Sequence, residues 1–413
     1  MESTAIQEAI RRNHSNAMKK RILFVDDEAM ALTGLERMLR CMRQEWEMEF
    51  VESAGAALRL MDQKPFDVIV SDMRMPRMNG AELLAEVMKR HPNTVRLILS
   101  GYADRDLILK CVGSTHQFLS KPCDADTLKA TIARASKSEG PLHNERLKTL
   151  VCQMSRLPSI PSLYMQVMEK SSRPDSSVEE IGRVIGRDIG MTAQVLKLAN
   201  SAFFGLPRPL SNAEEAVSYL GLDTIKSLVL SIHAFSQYEK AGTGALKIES
   251  LWNHSTQVAS LAKRISTLEG QDANAAKEAF TSGMLHDIGK LVLAVNLPDE
   301  YTEATRLART GLEIALAEEQ IFGANHADVG GYLIGLWGLP AAVVEAVALH
   351  HCPSRSLHPV FGPLTSVHAA NVLALERSNF DQGGPAPQMD ASHLDLAGVS
   401  SHIAAWRQAT ADN

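Results

Sequence analysis

Over the first third of the chain, short apolar runs alternate with stretches whose apolar positions recur at helical spacing. The runs are Ile22–Val25, Val68–Val70 and Val95–Leu99, with weaker ones near Met48–Val51 and Gln117–Ser120. Between the first two lies Ala31–Leu39, with Leu32, Leu35, Met38 and Leu39 on one helical face. Strands apolar on both faces and separated by helices predict a parallel sheet covered on both sides. Residues 20–138 therefore read as a doubly wound, flavodoxin-like α/β unit with a five-stranded parallel sheet.

Ser136 to Pro141 breaks this rhythm. Residues 139–156 predict a connector helix, closed by Leu157-Pro158-Ser159-Ile160-Pro161. Beyond it the strand period disappears. Amphipathic helices are predicted over 161–171, 177–186, 189–200, 211–219, 222–238, 250–269, 272–285 and onward to about 378, punctuated by Pro207, Pro209, Pro298, Pro340 and Pro353. Residues 157–378 thus read as all-α, giving an α/β plus all-α chain. Residues 1–19 read as a polar leader. Residues 379–413 read as a flexible linker, rich in Gly and Pro, ending in a tail helix around Leu394–Arg407.

Composition narrows the partners. Lys and Arg number 42 against 48 Asp and Glu, a net charge of −6. That balance speaks against DNA or an anionic membrane as the main partner. The five cysteines are scattered and never spaced Cys-x-x-Cys, which fits a reducing cytoplasm better than a disulfide framework. The first twenty residues hold no apolar core of export-signal length. The most apolar stretch, Tyr332 to Leu349, is interrupted by Pro340 and Glu345 and predicts two buried helices rather than a membrane span.

In a doubly wound sheet, ligands gather at the carboxyl ends of the strands. Asp26 and Asp27 follow the first predicted strand, Asp72 the third, Ser100 the fourth and Lys121 the fifth. Three converging carboxylates repel one another unless a cation joins them, and a hard ion such as Mg²⁺ suits them. A carboxylate oxygen of Asp72 can then attack a phosphoryl group, with Lys121 neutralising the transferring oxygens and Ser100 bonding the product. Lys121-Pro122 is a candidate cis bond. Taken singly, each Asp is also explained as a helix cap and the lysine as a solvated loop residue. Residues 20–138 resemble a response-regulator receiver domain. The resemblance implies Asp72 as phosphoacceptor, and Mg²⁺ held by Asp26, Asp27, Asp72 and the Arg74 carbonyl. It also implies Phe118 at the aromatic switch position beside Ser100, and a sensor histidine kinase as partner.

The helical half carries six candidate ligands in apolar helices: His254 in LWNHS, His286 and Asp287 in MLHDIGK, His326 in ANHADVGGYL, and His350 and His351 in ALHHCP. Imidazole and carboxylate together suit a transition-metal or dinuclear site holding Fe, Mn, Zn or another divalent ion. Lys290, one turn beyond His286, is a candidate phosphate contact. A network of buried, hydrogen-bonded histidines that fixes helix packing explains the same residues. Residues 156–375 are similar to the HDOD family, a branch of the HD phosphohydrolase superfamily. The similarity rests on LPSIPSL, QVLKLANSAFFG, AVSYLGLDTIKSLVLS, HDIGK and HADVGGYL…ALHH. By that similarity Asn371 stands where a distal aspartate is expected, and CPSRSLHPVFG replaces the Gly-Tyr-Pro loop of phosphodiesterases that hydrolyse cyclic di-GMP.

The leading expectation is a non-enzymatic response regulator. Phosphorylation of Asp72 would control, through the connector, an HDOD module that signals to downstream proteins by contact, with pairing of two copies by family analogy. The competing expectation is a metal-dependent phosphodiesterase acting on cyclic di-GMP or another nucleotide.

Overall fold

The computed structural model describes residues 19–101, 107–108, 111–136, 142, 144–154, 163, 166–167, 169–170, 177–200, 206, 208–222, 224–225, 246–377 and 388–411. Five strands form one parallel sheet: β1 (Lys20–Val25), β2 (Trp46–Val51), β3 (Val68–Asp72), β4 (Val95–Ser100) and β5 (Gln117–Ser120). Their spatial order is β2-β1-β3-β4-β5. The register pairs Val25 with Ser71, Asp72 with Leu99, and Ser100 with Ser120. Every predicted strand is present, and their carboxyl ends share one rim.

Side chains alternate between the two faces, as the pleat requires. Leu23, Ile69, Ile98 and Phe118 pack under α2 (Ala54–Gln63) and α3 (Gly80–Arg90). Ile22, Phe24, Val70, Leu97 and Leu119 pack under α1 (Ala29–Met38) and α4 (Ala125–Ser136). The Leu23 face of the core runs without a break into the helical half, through Met154, Leu196 and Trp337.

The connector helix α5 (Glu145–Gln153) is followed by α6 (Val178–Ile185), α7 (Ile189–Ala199), α8 (Ala213–Leu220), α9 (Ile248–Leu268), α10 (Ala273–Leu285), α11 (Ile288–Asn296), α12 (Pro298–Ala308), α13 (Ile314–Phe322), α14 (His326–Leu336), α15 (Ala341–Leu349) and α16 (Pro363–Arg377). No strand lies in this half among the described residues. Tyr332–Leu349 divides into α14 and α15 at Gly338 and Pro340, and no helix is long and apolar enough to cross a membrane. The leader before Lys19, the 161–171 and 222–238 helices for the most part, and the 381–387 linker lie outside the described residues.

Two expectations change. The tail is not one helix but two, α17 (Ala391–Leu396) and α18 (Ile403–Ala411), because Gly398 turns the chain at φ 74°. Nor is that tail loose: Leu394, Val399 and Trp406 are buried against α9 and α16, and Trp406 Nε1 donates to Glu269 at 2.7 Å. The connector also does not join the two halves alone. Gln117 Nε2 donates to Leu336 O at 3.1 Å and Lys197 Nζ to Val112 O at 2.7 Å, so the sheet edge docks directly on α14 and α7.

Candidate functional site

Two pockets gather the chemistry. The first is the sheet rim. Asp26 and Asp72 are buried there, and the half-buried Lys121 reaches both: Nζ lies 2.7 Å from Asp26 Oδ2 and is ion-paired with Asp72 Oδ1. The Arg74 backbone N–H donates to Asp72 Oδ2 at 2.6 Å. Burial pushes the Asp72 carboxyl up, and Asp26 adds to this, against the lowering by Lys121. Ser100 is buried at the end of β4 and Phe118 within β5, and the Lys121–Pro122 peptide is cis. Asp27 sits beside them on the rim, exposed to solvent.

The loop from Asp72 to α3 shows why this rim forms. Asn79 and Glu82 close a capping box at the start of α3, and Gly80 follows. A Cβ on Gly80 would lie 2.1 Å from the Asp72 carbonyl oxygen, so only glycine lets the helix start against Asp72. Arg77 in the same loop takes a left-handed φ of 71°. Two buried carboxylates and a third at the mouth form a donor set suited to a hard, oxygen-loving divalent cation, with the Lys121 ammonium beside them.

The second pocket lies inside the helical half. His254 comes from α9, His286 and Asp287 from the junction of α10 and α11, His326 from the start of α14, and His350 and His351 from the end of α15. All six converge. His254, His286 and Asp287 place one ligand atom each within 4.8 Å of one another, and so do His326, His350 and His351. Asp287 faces both groups. Its Oδ2 is 3.4 Å from His286 Nε2 and 3.8 Å from His254 Nε2, and its Oδ1 is 3.1 Å from His326 Nε2 and 3.9 Å from His350 Nε2.

Hydrogen bonding fixes the tautomers. His286 Nδ1 lies 2.7 Å from Gly283 O and His350 Nδ1 lies 2.8 Å from Val347 O. A carbonyl only accepts, so both Nδ1 atoms carry the proton and both Nε2 atoms are bare. These two Nε2 atoms are buried and meet no hydrogen-bond partner among the described residues. Burial lowers His286, His350 and His351, and takes His254 down to about 3, so the rings are neutral, the form that binds a metal. Burial also opposes the Asp287 carboxylate, yet His286 and Lys290 outweigh it and hold its pKa well below the usual range. Orphaned, inward-facing imidazole nitrogens around one carboxylate fit a transition-metal ion.

Three further residues surround these ligands. Lys290 Nζ donates to Asp287 Oδ2 at 2.8 Å. Asn371 Oδ1 is 3.0 Å from His254 Nε2. Glu318, which sequence reasoning passed over, is fully buried and accepts from His326 through both the backbone N–H at 2.7 Å and Nδ1 at 2.6 Å. Its signal was periodic: it shares the buried face of α13 with Ala315 and Phe322. His368, also buried, donates from Nδ1 to His350 O and accepts the Asp390 N–H at Nε2, each at 2.8 Å, which ties the tail to the pocket.

Comparison with known proteins agrees with this division. The family model for the response regulator receiver domain matches residues 22–133, and that for the HDOD domain matches residues 157–353. An uncharacterized protein of Treponema pallidum (strain Nichols) is 25% identical over 196 residues, 47% of this chain and 37% of its own length. The hydrogenase transcriptional regulatory protein HoxA of Cupriavidus necator is 36% identical over 121 residues, 29% of this chain and 24% of its own length. The chain therefore spans well under half the length of either relative. The MmoQ response regulator of Methylococcus capsulatus str. Bath is 23% identical with a TM-score of 0.48, covering 61% of this chain and 98% of that one.

Proposed function

Residues 22–133 are a response regulator receiver domain followed at 157–353 by an HDOD domain, and from that order we propose that phosphorylation of Asp72 by a sensor histidine kinase controls the helical module. The observation that carries this is the meeting of Asp26, Asp72 and Lys121 at one rim. An Asp72 oxygen attacks the donor's phosphorus, the bond to the donor breaks, and an aspartyl phosphate forms. The Lys121 amine lies where charge on the transferred oxygens develops, and the Ser100 hydroxyl lies at the adjoining strand end. Mg²⁺, held by Asp26, Asp27, Asp72 and the Arg74 carbonyl, would supply further neutralisation of that charge.

Phe118 and Gln117 are neighbours on β5, and Gln117 bonds the last carbonyl of α14, whose first residue is His326. A shift at the phosphorylated rim therefore reaches the histidine pocket through one strand and one helix. Output is by protein contact: Leu357 and Val360 stand 88% and 70% exposed on the loop after the paired histidines. Acetyl phosphate with Mg²⁺, followed by phosphate-affinity electrophoresis, tests the first step. Wild type is expected to shift and Asp72→Ala to run as a single unshifted band; identical mobility would remove the phosphoswitch.

The six converging ligands favour a second reading, hydrolysis of a nucleotide phosphodiester in the histidine pocket. There the bare Nε2 atoms and Asp287 would hold the ions that activate water, and Lys290 would meet a phosphate oxygen only after leaving Asp287. Turnover of cyclic di-GMP by manganese-loaded protein decides it; bound metal without turnover leaves the contact-signalling reading standing.

A further inference from the structure

The histidine pocket has two sides, set by the two oxygens of Asp287, and they are not equivalent. On the Oδ1 side stand His326, His350 and His351. His326 Nδ1 is committed to Glu318, which leaves Nε2 as its ligand atom, and that atom lies 3.1 Å from Asp287 Oδ1 and 2.9 Å from His351 Nε2. His350 Nε2, bare and orphaned, lies 3.9 Å from the same oxygen. Donors bound at about 2.0–2.1 Å in a tetrahedral site stand about 3.3 Å apart, so this spacing is that of a ligand shell. Three imidazoles and one carboxylate complete it without help.

On the Oδ2 side the same requirements are already met from within the chain. The Lys290 ammonium sits on Oδ2 at 2.8 Å, where a second ion would bind. His254 Nε2 is engaged by Asn371 at 3.0 Å. That engagement holds whichever way round the amide lies: the oxygen takes a proton from Nε2, or the amide nitrogen donates to its lone pair. The neutral amide brings no charge in place of the carboxylate that the family similarity leads one to expect. What is left on this side is the His286 Nε2, and a single imidazole is a poor hold for a dication.

Charge points the same way. The carboxylates in direct contact with the pocket's imidazoles among the described residues are Asp287 and Glu318, against which Lys290 already stands. Two divalent ions would leave a large buried excess of positive charge, which is strongly unfavourable without further anions.

We propose that the helical module holds one divalent transition-metal ion per chain, bound by His326, His350, His351 and Asp287 Oδ1, with the Lys290 ammonium standing permanently in place of a second. The proposal concerns the histidine pocket alone and does not depend on phosphoryl acceptance at Asp72. It is independent of turnover as well, since it counts ions.

The full chain, stripped with chelator and reloaded with Mn²⁺, tests it by elemental analysis and electron paramagnetic resonance. Wild type is expected to retain one ion per chain with the hyperfine pattern of isolated manganese. His254→Ala is expected to keep that ion. His351→Ala, at the least buried of the ligands, is expected to lose it, at least a hundredfold in affinity, while its circular dichroism stays that of wild type. Should His351→Ala unfold, His351→Gln takes its place, keeping the bulk and an amide while removing the imidazole. Two ions per chain, a spin-coupled manganese pair, no retained ion, or an ion lost with His254→Ala but kept with the His351 variant would each overturn the proposal. Failure of Asp72 to accept phosphate, with one ion still bound, would count against the phosphoswitch alone.

Discussion

The rim pocket and the histidine pocket each set carboxylate against an amine, and they differ in access. Lys121 is 36% exposed and Asp27 is open to solvent, whereas Lys290 and Asp287 are buried at 3% and 1%. A group that is to meet a phosphodonor, as proposed for Asp72, needs such an opening. Ligands that keep an ion need the reverse, because water competes for every donor. Both pockets rest on one glycine at which two backbones touch. Gly80 lies under the Asp72 carbonyl, and Gly289 lies under the His326 carbonyl, where an added Cβ would stand 1.9 Å from the oxygen.

The most damaging way to test the contrast is at those glycines. Gly289→Ala forces α11 from α14, and overpacking of this kind costs about 3 kcal/mol. Chemical denaturation is expected to show that loss together with loss of metal, while Asp72 in the surviving folded protein still accepts phosphate. Retained metal with an unchanged denaturation midpoint would mean that the close approach of α11 and α14 is not needed for the site.

A smaller effect is expected at Glu318. Glu318→Gln keeps an oxygen to accept from His326 but removes the charge that fixes Nδ1–H and raises the basicity of Nε2. Loss of such an outer carboxylate lowers metal affinity about 10–100-fold. Competition with a chelating dye measures it; an affinity equal to that of wild type would make Glu318 a packing residue only.

The rim was legible because its chemistry is local to strand ends. Once Ile22–Val25, Val68–Val70 and Val95–Leu99 are read as parallel strands, Asp26, Asp72 and Ser100 must share an edge. The histidines were legible as a set, since six such residues in apolar helices need a common explanation. Their partners were not. Glu318 lies eight residues before His326, and in LAEEQ it looks like one of two solvent-facing acids; only its phase with Ala315 and Phe322 sets it apart. The docked tail was hidden for another reason. Trp406 is held by Glu269, 137 positions away, and a Gly- and Pro-rich run separates the tail from everything near it in sequence. The joint between the halves had a readable sign, a cation inside an apolar run, in both RLILS and QVLKLAN. Neither run says which backbone will meet that cation.

That joint supplies the last test, because its cation differs from those of both pockets. Lys121 and Lys290 have carboxylate partners; Lys197 is buried with a carbonyl, Val112 O, and with the Trp337 ring 4.8 Å below its Nζ. Facing it are the cationic Arg96, whose guanidinium is held by Ser114 O, Thr94 O and Cys152 O, the neutral His116 and the protonated Cys111 thiol. Burial, with Arg96 adding, takes Lys197 from 10.5 down to about 7. Unfolding between those two values takes up a proton, so the folded state gains as pH rises across that window. The gain is at most roughly 1.4 kcal/mol per pH unit, and below about pH 7 the full cost of burying the ammonium is present. Lys197→Met removes the titration and keeps most of the volume. The stability difference between variant and wild type is expected to favour Met most below about pH 7 and to shrink steadily up to about pH 10. Urea midpoints of the two proteins across that range read it directly, other groups cancelling in the difference. A difference flat with pH would mean that Lys197 titrates at its ordinary value, and that the sheet edge leaves α7 open to water instead of sealing against it.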